Sequence, residues 1–386
     1  MFQFREKISH RFFLAIMLIV VIPIGIISYE SYVLARRTLM TFAYQHMTTI
    51  AENKANHFGS WLEERLDDVG ILAGLSVIRE ACRSYSEKTD APSEISMNML
   101  DNSLDLIEGT SPSYENIYIL LPDGRVLSST HPDLAHTRGF YEQGLMERLR
   151  SLDEPVLGPV YQYPGKKGWN VQLAAKIKGP EDRTLGFVVA VLDLSKTVDP
   201  IMVERIGLGD TGETYLVNKA RRIISGSRFL NYSETVDQDF DTPGIRSVLE
   251  EEKGTAIYKN YMGREVLGAY VWLPRYEWGL LAEMETDEIL WPLVWIKTIG
   301  VCTSVLVGFI CLLMAFLVSR RISRPIGQVA DAAERMAKGD LEQQIPFSSK
   351  DEVGRLAVSF NVMAHQLARS ISSLRQKEES LERAYN

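Results

Sequence analysis

Few side chains in this chain could do covalent or metal chemistry, and their spacing argues against both. The three cysteines are Cys82, Cys302 and Cys311. The last two fall in an uncharged apolar run and Cys82 stands alone before it, so no disulfide closes in the middle region. None of the six histidines joins a Cys/His cluster with metal-ligand spacing. His131 and His136 read as loop polarity. No glycine-rich nucleotide loop or other active-site pattern is visible, so no catalytic residue, metal or cofactor is expected. What remains is reversible binding, and the question becomes which elements would hold a binding site.

Charge and hydropathy set the frame. The formal net charge is −8, unevenly spread. Residues 320 to 386 carry 11 Lys/Arg and 9 Asp/Glu, residues 1 to 11 carry 3 and 1, and the stretch between carries −12. An acidic middle argues against nucleic acid as a partner. Thr298 to Ser319 is an uncharged run long enough to cross a bilayer as a helix. Arg320, Arg321 and Arg324 follow it, and such clusters favour the cytoplasmic side. Phe12 to Ile27 is a second apolar run after Arg5, Lys7 and Arg11. A cleaved signal peptide is its rival reading, but no small-x-small site follows, and Ser28 to Leu34 can extend the helix. Two-pass placement in a cell membrane is therefore expected, with both termini cytoplasmic and the middle outside.

The middle has its own periodicities. From Ala35 to Ile78 an apolar face recurs at helical spacing through Phe42, Ile50, Phe58, Leu62, Leu66, Val69 and Leu72, which predicts a long stalk helix. After Glu115 the pattern turns to strands. Expected are 116–121 and 126–129 around an Asp123-Gly124 turn, then 169–177 and 185–194. A second set is 212–218, 222–225, 255–261, 265–273 and 277–285. Between the sets, 193–207 reads as helix with Pro200 inside it. A long helix followed by two antiparallel modules predicts an α+β fold with two cores.

Beyond the second apolar run, Ile326, Val329, Ala333 and Met336 form a coiled-coil seam, and Val353, Leu356, Phe360, Met363 and Leu367 form another. Gly339 and Asp340 stop the first helix. Together with Pro325 and the run Asp351-Glu352-Val353-Gly354, this stretch resembles a HAMP linker. The resemblance implies a parallel four-helix coiled coil made by two chains, with Pro325, Gly339, Asp340 and Glu352 as signal-relay positions. Glu352 would hold one packing state and Pro325 would pass on motion of the membrane helix. Leu367, Leu374 and Leu381 continue the heptad as a signalling coiled coil.

The middle region resembles the double Cache sensors, a PAS-like two-module family. Gly207-Leu208-Gly209-Asp210-Thr211-Gly212-Glu213-Thr214-Tyr215, Asp241-Thr242-Pro243-Gly244 and Trp278-Gly279-Leu280 carry it in the second module. Arg138-Gly139-Phe140-Tyr141, Gly158-Pro159-Val160-Tyr161 and Gly186 to Asp193 carry it in the first. The resemblance implies a small-ligand pocket in the distal module lined by Arg138, Phe140, Tyr141, Tyr161 and Asp193. There an arginine fork takes a carboxylate, rings wall the pocket and the aspartate accepts from an ammonium. Two positions depart from the amino-acid-binding pattern: Phe140 stands in place of a tryptophan, and Asp133 in place of a tyrosine.

The expected division is a cytoplasmic start (1–11), a membrane helix (12–34) and an extracytoplasmic sensor (35–290). The sensor holds a distal module (about 80–195) and a proximal one (about 205–288). A second membrane helix (298–319), HAMP (320–372) and the coiled coil (373–386) follow. The implied function is a homodimeric receptor for an organic acid, amino acid or similar ligand, coupled to a kinase core or response regulator. It resembles the input half of a sensor histidine kinase, with a chemoreceptor, a cyclase-linked sensor or a stand-alone solute-sensing dimer as alternatives. His365 is followed by Gln366-Leu367, not by the His-Glu and proline of a kinase phosphoacceptor box, and reads as a solvent-facing HAMP position.

Overall fold

The computed structural model describes residues 3–86, 94–110, 113–131, 139, 143–162, 168–230, 238–340, 344–346 and 351–385. The chain divides into two compact units, residues 37–291 and residues 1–36 with 292–386.

The first helix, α1 (Gln3–Gly74), is continuous through the apolar run and the stalk. Within 37–291 its buried side chains include Met47, Ala51, Ala55, Phe58, Leu62, Leu66, Val69 and Leu72, the one-sided pattern of a helix laid on sheets. Two helices follow, α2 (Ser76–Ser86) and α3 (Glu94–Thr110). The distal sheet has five strands, β1 (Tyr114–Leu120), β2 (Val126–Ser129), β3 (Val156–Tyr161), β4 (Asn170–Lys178) and β5 (Thr184–Asp193). They are antiparallel in the order β2-β1-β5-β4-β3. Helix α4 (Gln143–Ser151) lies on the face turned away from the stalk, seating Leu145 and Leu149 beside Val156, Ala174 and Val189. Both faces of the sheet are thus covered, which is why β5 reads as an almost unbroken apolar run.

Two short helices, α5 (Leu194–Thr197) and α6 (Asp199–Val203), lead to the proximal module. The single helix expected over 193–207 is thus two, and Pro200 opens the second instead of interrupting the first, because a ring without N–H fits the first turn. The proximal sheet comprises β6 (Glu213–Asn218), β7 (Gly254–Lys259), β8 (Glu265–Leu273) and β9 (Trp278–Glu285), in the order β6-β9-β8-β7. Helix α7 (Pro243–Leu249) packs on its outer face. The strand expected at 222–225 is reduced to one bridge, Val217 to Ile223, because the chain turns back on β6 through Arg221 at φ 58. One hydrophobic cluster runs from the stalk into the inner faces of both sheets, joining Leu62, Leu173 and Leu192 to Leu216, Leu267 and Leu280. The two cores expected from sequence are one on the stalk side.

In the other unit, α8 (Thr286–Val318) carries the second apolar run and passes through a π-helical turn (Ser319–Ser323) into α9 (Arg324–Ala337). The last helix is α10 (Glu352–Tyr385). Two helices are long and apolar enough to cross a membrane. They meet at small residues, where a Cβ on Gly300 would lie 3.7 Å from that of Ser28.

Candidate functional site

Strand register builds the distal site. Tyr161 on β3 pairs with Asn170 on β4, and Asn170 pairs with Asp193 on β5. Side chains alternate along strands, so this polar row shares a face with Gln172, Val191 and Tyr118 and looks away from the stalk. Of the five expected ligand residues, Tyr161 and Asp193 are brought together across Asn170. Arg138, Phe140 and Tyr141 lie outside the described residues.

Asp193 is 8% exposed and does two jobs. Its Oδ1 accepts from the Ser195 backbone N–H at 2.9 Å and from the Ser195 hydroxyl, capping α5, while Oδ2 lies 3.7 Å from Lys196 Nζ. Asn170 is 2% exposed, and its Oδ1 has no hydrogen-bond donor in reach among the described residues. Leaving such a group bare costs about 1–3 kcal/mol, so something must offset the cost or supply the donor. Nearby, the Gln172 amide donates to the Tyr118 hydroxyl at 3.0 Å. Gly168 adopts φ +121 beside Asp193, and a Cβ there would lie 3.9 Å from Asp193 Oδ1. Asn170 and Gln172 were missed from sequence. Their signal is two amides two residues apart in an apolar strand, polar side chains turned onto one face.

The site is wired to the rest of the ectodomain through its neighbours. Trp169 precedes Asn170, and its indole N–H donates to the Ile223 carbonyl of the proximal module at 2.8 Å. Past Asp193, the buried Lys54 of the stalk donates to the Ile201 carbonyl at the end of α6 and to Glu204 Oε2 at 3.3 Å. At the base of the proximal module, Glu288 in the first turn of α8 accepts from the backbone N–H groups of Asp210 and Thr211, both at 2.8 Å. These bonds hold the Glu288 carboxyl below its usual range despite partial burial. His46 of the stalk approaches the Gly207 carbonyl at 2.7 Å, where φ +78 suits glycine.

The four positions that the HAMP resemblance implies as relay positions have distinct local settings. Pro325 is buried at the start of α9. Gly339 takes φ +98, and its N–H donates to Met336 O at 3.0 Å while Asp340 N–H reaches Arg335 O at 3.2 Å, a glycine-terminated helix end. Asp351 Oδ1 accepts from Gly354 N–H at 2.9 Å, so Asp351 caps α10 and Glu352 is its first helical residue. Asn361 grips the connector, accepting from Ile345 N–H at 2.9 Å and donating to Ile345 O at 3.2 Å. The contact between α9 and α10 uses Ala332, Ala357, Phe360 and Ala364, with Ile345 beneath. Of the expected seams, Phe360 lies in this contact and Val329 and Met336 pack against it, whereas Ile326, Leu356, Met363 and Leu367 stay exposed in the single chain.

The comparisons with known proteins agree with this architecture. The Cache domain family pattern matches residues 35–293 and the HAMP domain pattern matches residues 317–369. The chain belongs to the Cache domain family, with a HAMP domain after it. The methyl-accepting chemotaxis protein TlpB of Bacillus subtilis is 22% identical over 377 residues, 94% of this chain and 52% of TlpB. The sensor histidine kinase MtrB of Mycobacterium tuberculosis (strain ATCC 25618 / H37Rv) is 43% identical over 63 residues, 16% of this chain and 11% of MtrB. This chain therefore spans about half the length of TlpB and about a tenth of MtrB. Among solved structures, the ligand-binding domain of the Campylobacter jejuni chemoreceptor Tlp3 in complex with L-norvaline shares the fold. It has a TM-score of 0.50 at 14% identity, covering 65% of this chain and 94% of that one. A Cache sensory domain bracketed by two candidate membrane helices and followed by HAMP is the layout of a transmembrane ligand sensor.

Proposed function

We propose that the distal module binds a small organic acid or amino acid on the row formed by Tyr161, Asn170 and Asp193, with Arg138, Phe140 and Tyr141 completing the pocket. The observation that carries this reading is the buried Asn170 Oδ1, without a donor among the described residues, next to a carboxylate on the same face. An ammonium or hydroxyl of a ligand would satisfy the amide oxygen and share the Asp193 carboxylate. Tlp3 bound to L-norvaline supports an amino-acid class. Binding would compete with Ser195 for Asp193, loosen the cap of α5, and so bias the α6 segment that Lys54 ties to the stalk. A ligand shifts such an equilibrium only by its difference in affinity for the two states.

The receptor works as a homodimer in the cell membrane, with the sensor (35–290) outside and both termini cytoplasmic. The basic flanks and acidic middle support the orientation, and the exposed stripe Leu356, Met363, Leu367, Leu374 and Leu381 supports pairing. Its output is a histidine kinase core, for which the charged helix after HAMP is the support. A chemoreceptor is the second reading, favoured by the alignment with TlpB along nearly the whole of this chain.

The test is a thermal-shift series on the full chain in detergent micelles with single L-amino acids, dicarboxylates and amines. A bound ligand at a hundred times its Kd adds about 2.7 kcal/mol to stability. Loss of that shift in both Asp193→Asn and Arg138→Ala is expected. A shift that survives both variants refutes the pocket.

A further inference from the structure

The proximal module holds a second polar pair, buried more deeply than the first. Glu213 on β6 and Glu283 on β9 are direct cross-strand partners, and each is 1% exposed. Side chains so paired have Cβ atoms about 5 Å apart, where like charges repel. The side chains that hydrogen-bond them are all hydroxyls, and the Arg228 backbone N–H also meets Glu213. Tyr215 on β6 donates to Glu283 Oε1 at 2.7 Å and Tyr258 on β7 donates to the same oxygen at 2.8 Å. Ser227 donates to Glu213 Oε2 at 2.8 Å, and Tyr261 donates to Glu213 Oε1. Tyr258 fills the space above Gly244 and Gly268, so neither backbone can carry a larger side chain there.

Among the described residues no cation forms an ion pair with either carboxylate. Arg228 tempers Glu213 through its backbone N–H and its charge, while its guanidinium donates to the Gly212 and Asp210 carbonyls. The remaining groups that face the cluster are Tyr270 on β8 and Asn260 after β7. Helix α7 directs its Arg246 to Asp241 at the surface, 3.7 Å away. Among the described residues Glu283 Oε2 has no hydrogen-bond partner, since Asn260 tempers the carboxyl without meeting hydrogen-bond geometry at that oxygen. A bare carboxylate oxygen in a dry core beside a second carboxylate is the costliest arrangement available, and a proton removes the cost.

We propose that the Glu213 and Glu283 pair binds one shared proton and makes the proximal module a pH-responsive element of the receptor. Its position gives the proton leverage. Glu283 lies two residues before the end of β9, and α8 starts at Thr286 without a loop. Loss of the proton places two charges across the β6–β9 seam, five residues before the Glu288 clamp on α8. Burial, with Glu213 beside it, pushes the Glu283 carboxyl from its ordinary 4.5 up to about 7. Because the folded state holds the proton more tightly than the unfolded chain, the pair's contribution is full below about pH 4.5. It is lost as pH rises through about 7. This inference is independent of the distal pocket.

The full chain in detergent micelles provides the test, with no ligand added. Its unfolding midpoint should fall by at least about 4 °C between pH 4.5 and values well above 7. Glu283→Gln, which keeps the tyrosine contacts and cannot ionise, should flatten that slope by half or more. A slope unchanged in Glu283→Gln overturns the proposal. Infrared spectroscopy of the unmutated chain covers the case of a variant that does not fold. A protonated-carboxyl band should be present near pH 6 and vanish well above 7, and its absence near pH 6 overturns the proposal as well. Glu213→Gln removes the like charge and should move the disappearance of that band to lower pH.

Discussion

The two modules solve the same problem in opposite ways. Each carries a pair of polar residues facing one another across adjacent strands, on the sheet face turned away from the stalk: Asn170 with Asp193 in the distal sheet, Glu213 with Glu283 in the proximal one. The proximal pair is enclosed by four hydroxyl donors. The distal pair takes its only described donors from the chain immediately after Asp193, and leaves an amide oxygen bare. Each pair leaves one oxygen bare among the described residues, Glu283 Oε2 and Asn170 Oδ1, but only the carboxylate can meet the need by taking up a proton. The comparison separates a pair that a proton can complete from a pair that, on the proposed reading, a ligand completes.

The largest effect should fall on both modules at once. Phe58 is fully buried on the stalk and stacks on Trp278 with centroids 5.7 Å apart. Phe58→Ala should cost about 3–5 kcal/mol and lower one shared unfolding transition; two separate transitions would divide the core that joins the sheets. Next in size, Tyr258→Phe should cost about 1–3 kcal/mol in chemical denaturation, because it strips a donor from a buried carboxyl. A near-zero change there would mean that the proximal pair is not held closed by its hydroxyls. Smaller and of opposite sign, Asn170→Leu should leave stability unchanged or raise it by about 1 kcal/mol while abolishing any ligand-induced thermal shift. A clear loss of stability instead would show that Asn170 is structural. Smallest is Trp169→Phe, which removes one bond between modules and should cost about 1 kcal/mol with ligand affinity nearly intact. Isothermal titration on the variant distinguishes it from a pocket residue. As a check on packing around the distal sheet, Cys82, whose thiol burial pushes up to about 12, should resist alkylation until the chain unfolds.

Much of the architecture was legible because its signals are long. The stalk repeats its apolar face for many turns, and 126–129 and 265–273 carry strand boundaries that match β2 and β8. What escaped was set by contacts distant in sequence. β3 is short and interrupted by Gly158 and Pro159, so it reads as loop until it pairs with β4. The segment 222–225 has strand-like residues, but the tight turn at Arg221 leaves room for one bridge only. Tyr161 and Asp193 came from a family resemblance, and the register joins them. Asn170 between them is invisible until the register is known. The same holds for Glu213 and Glu283, which are 70 residues apart and look like ordinary strand charges. In HAMP the heptads are plain, and Val329, Met336 and Phe360 meet inside one chain, but Ala332, Ala357 and Ala364 beside them join the contact, which spacing alone does not resolve.

The shared core on the stalk has a practical consequence for anyone grafting this sensor onto a foreign output. Because Leu62, Leu173 and Leu280 belong to one apolar cluster, a splice near residue 200 would expose half of it in each fragment. Chimeras should instead exchange the block 37–291 whole, which keeps α1 and the β9-to-α8 junction in register with their own strands.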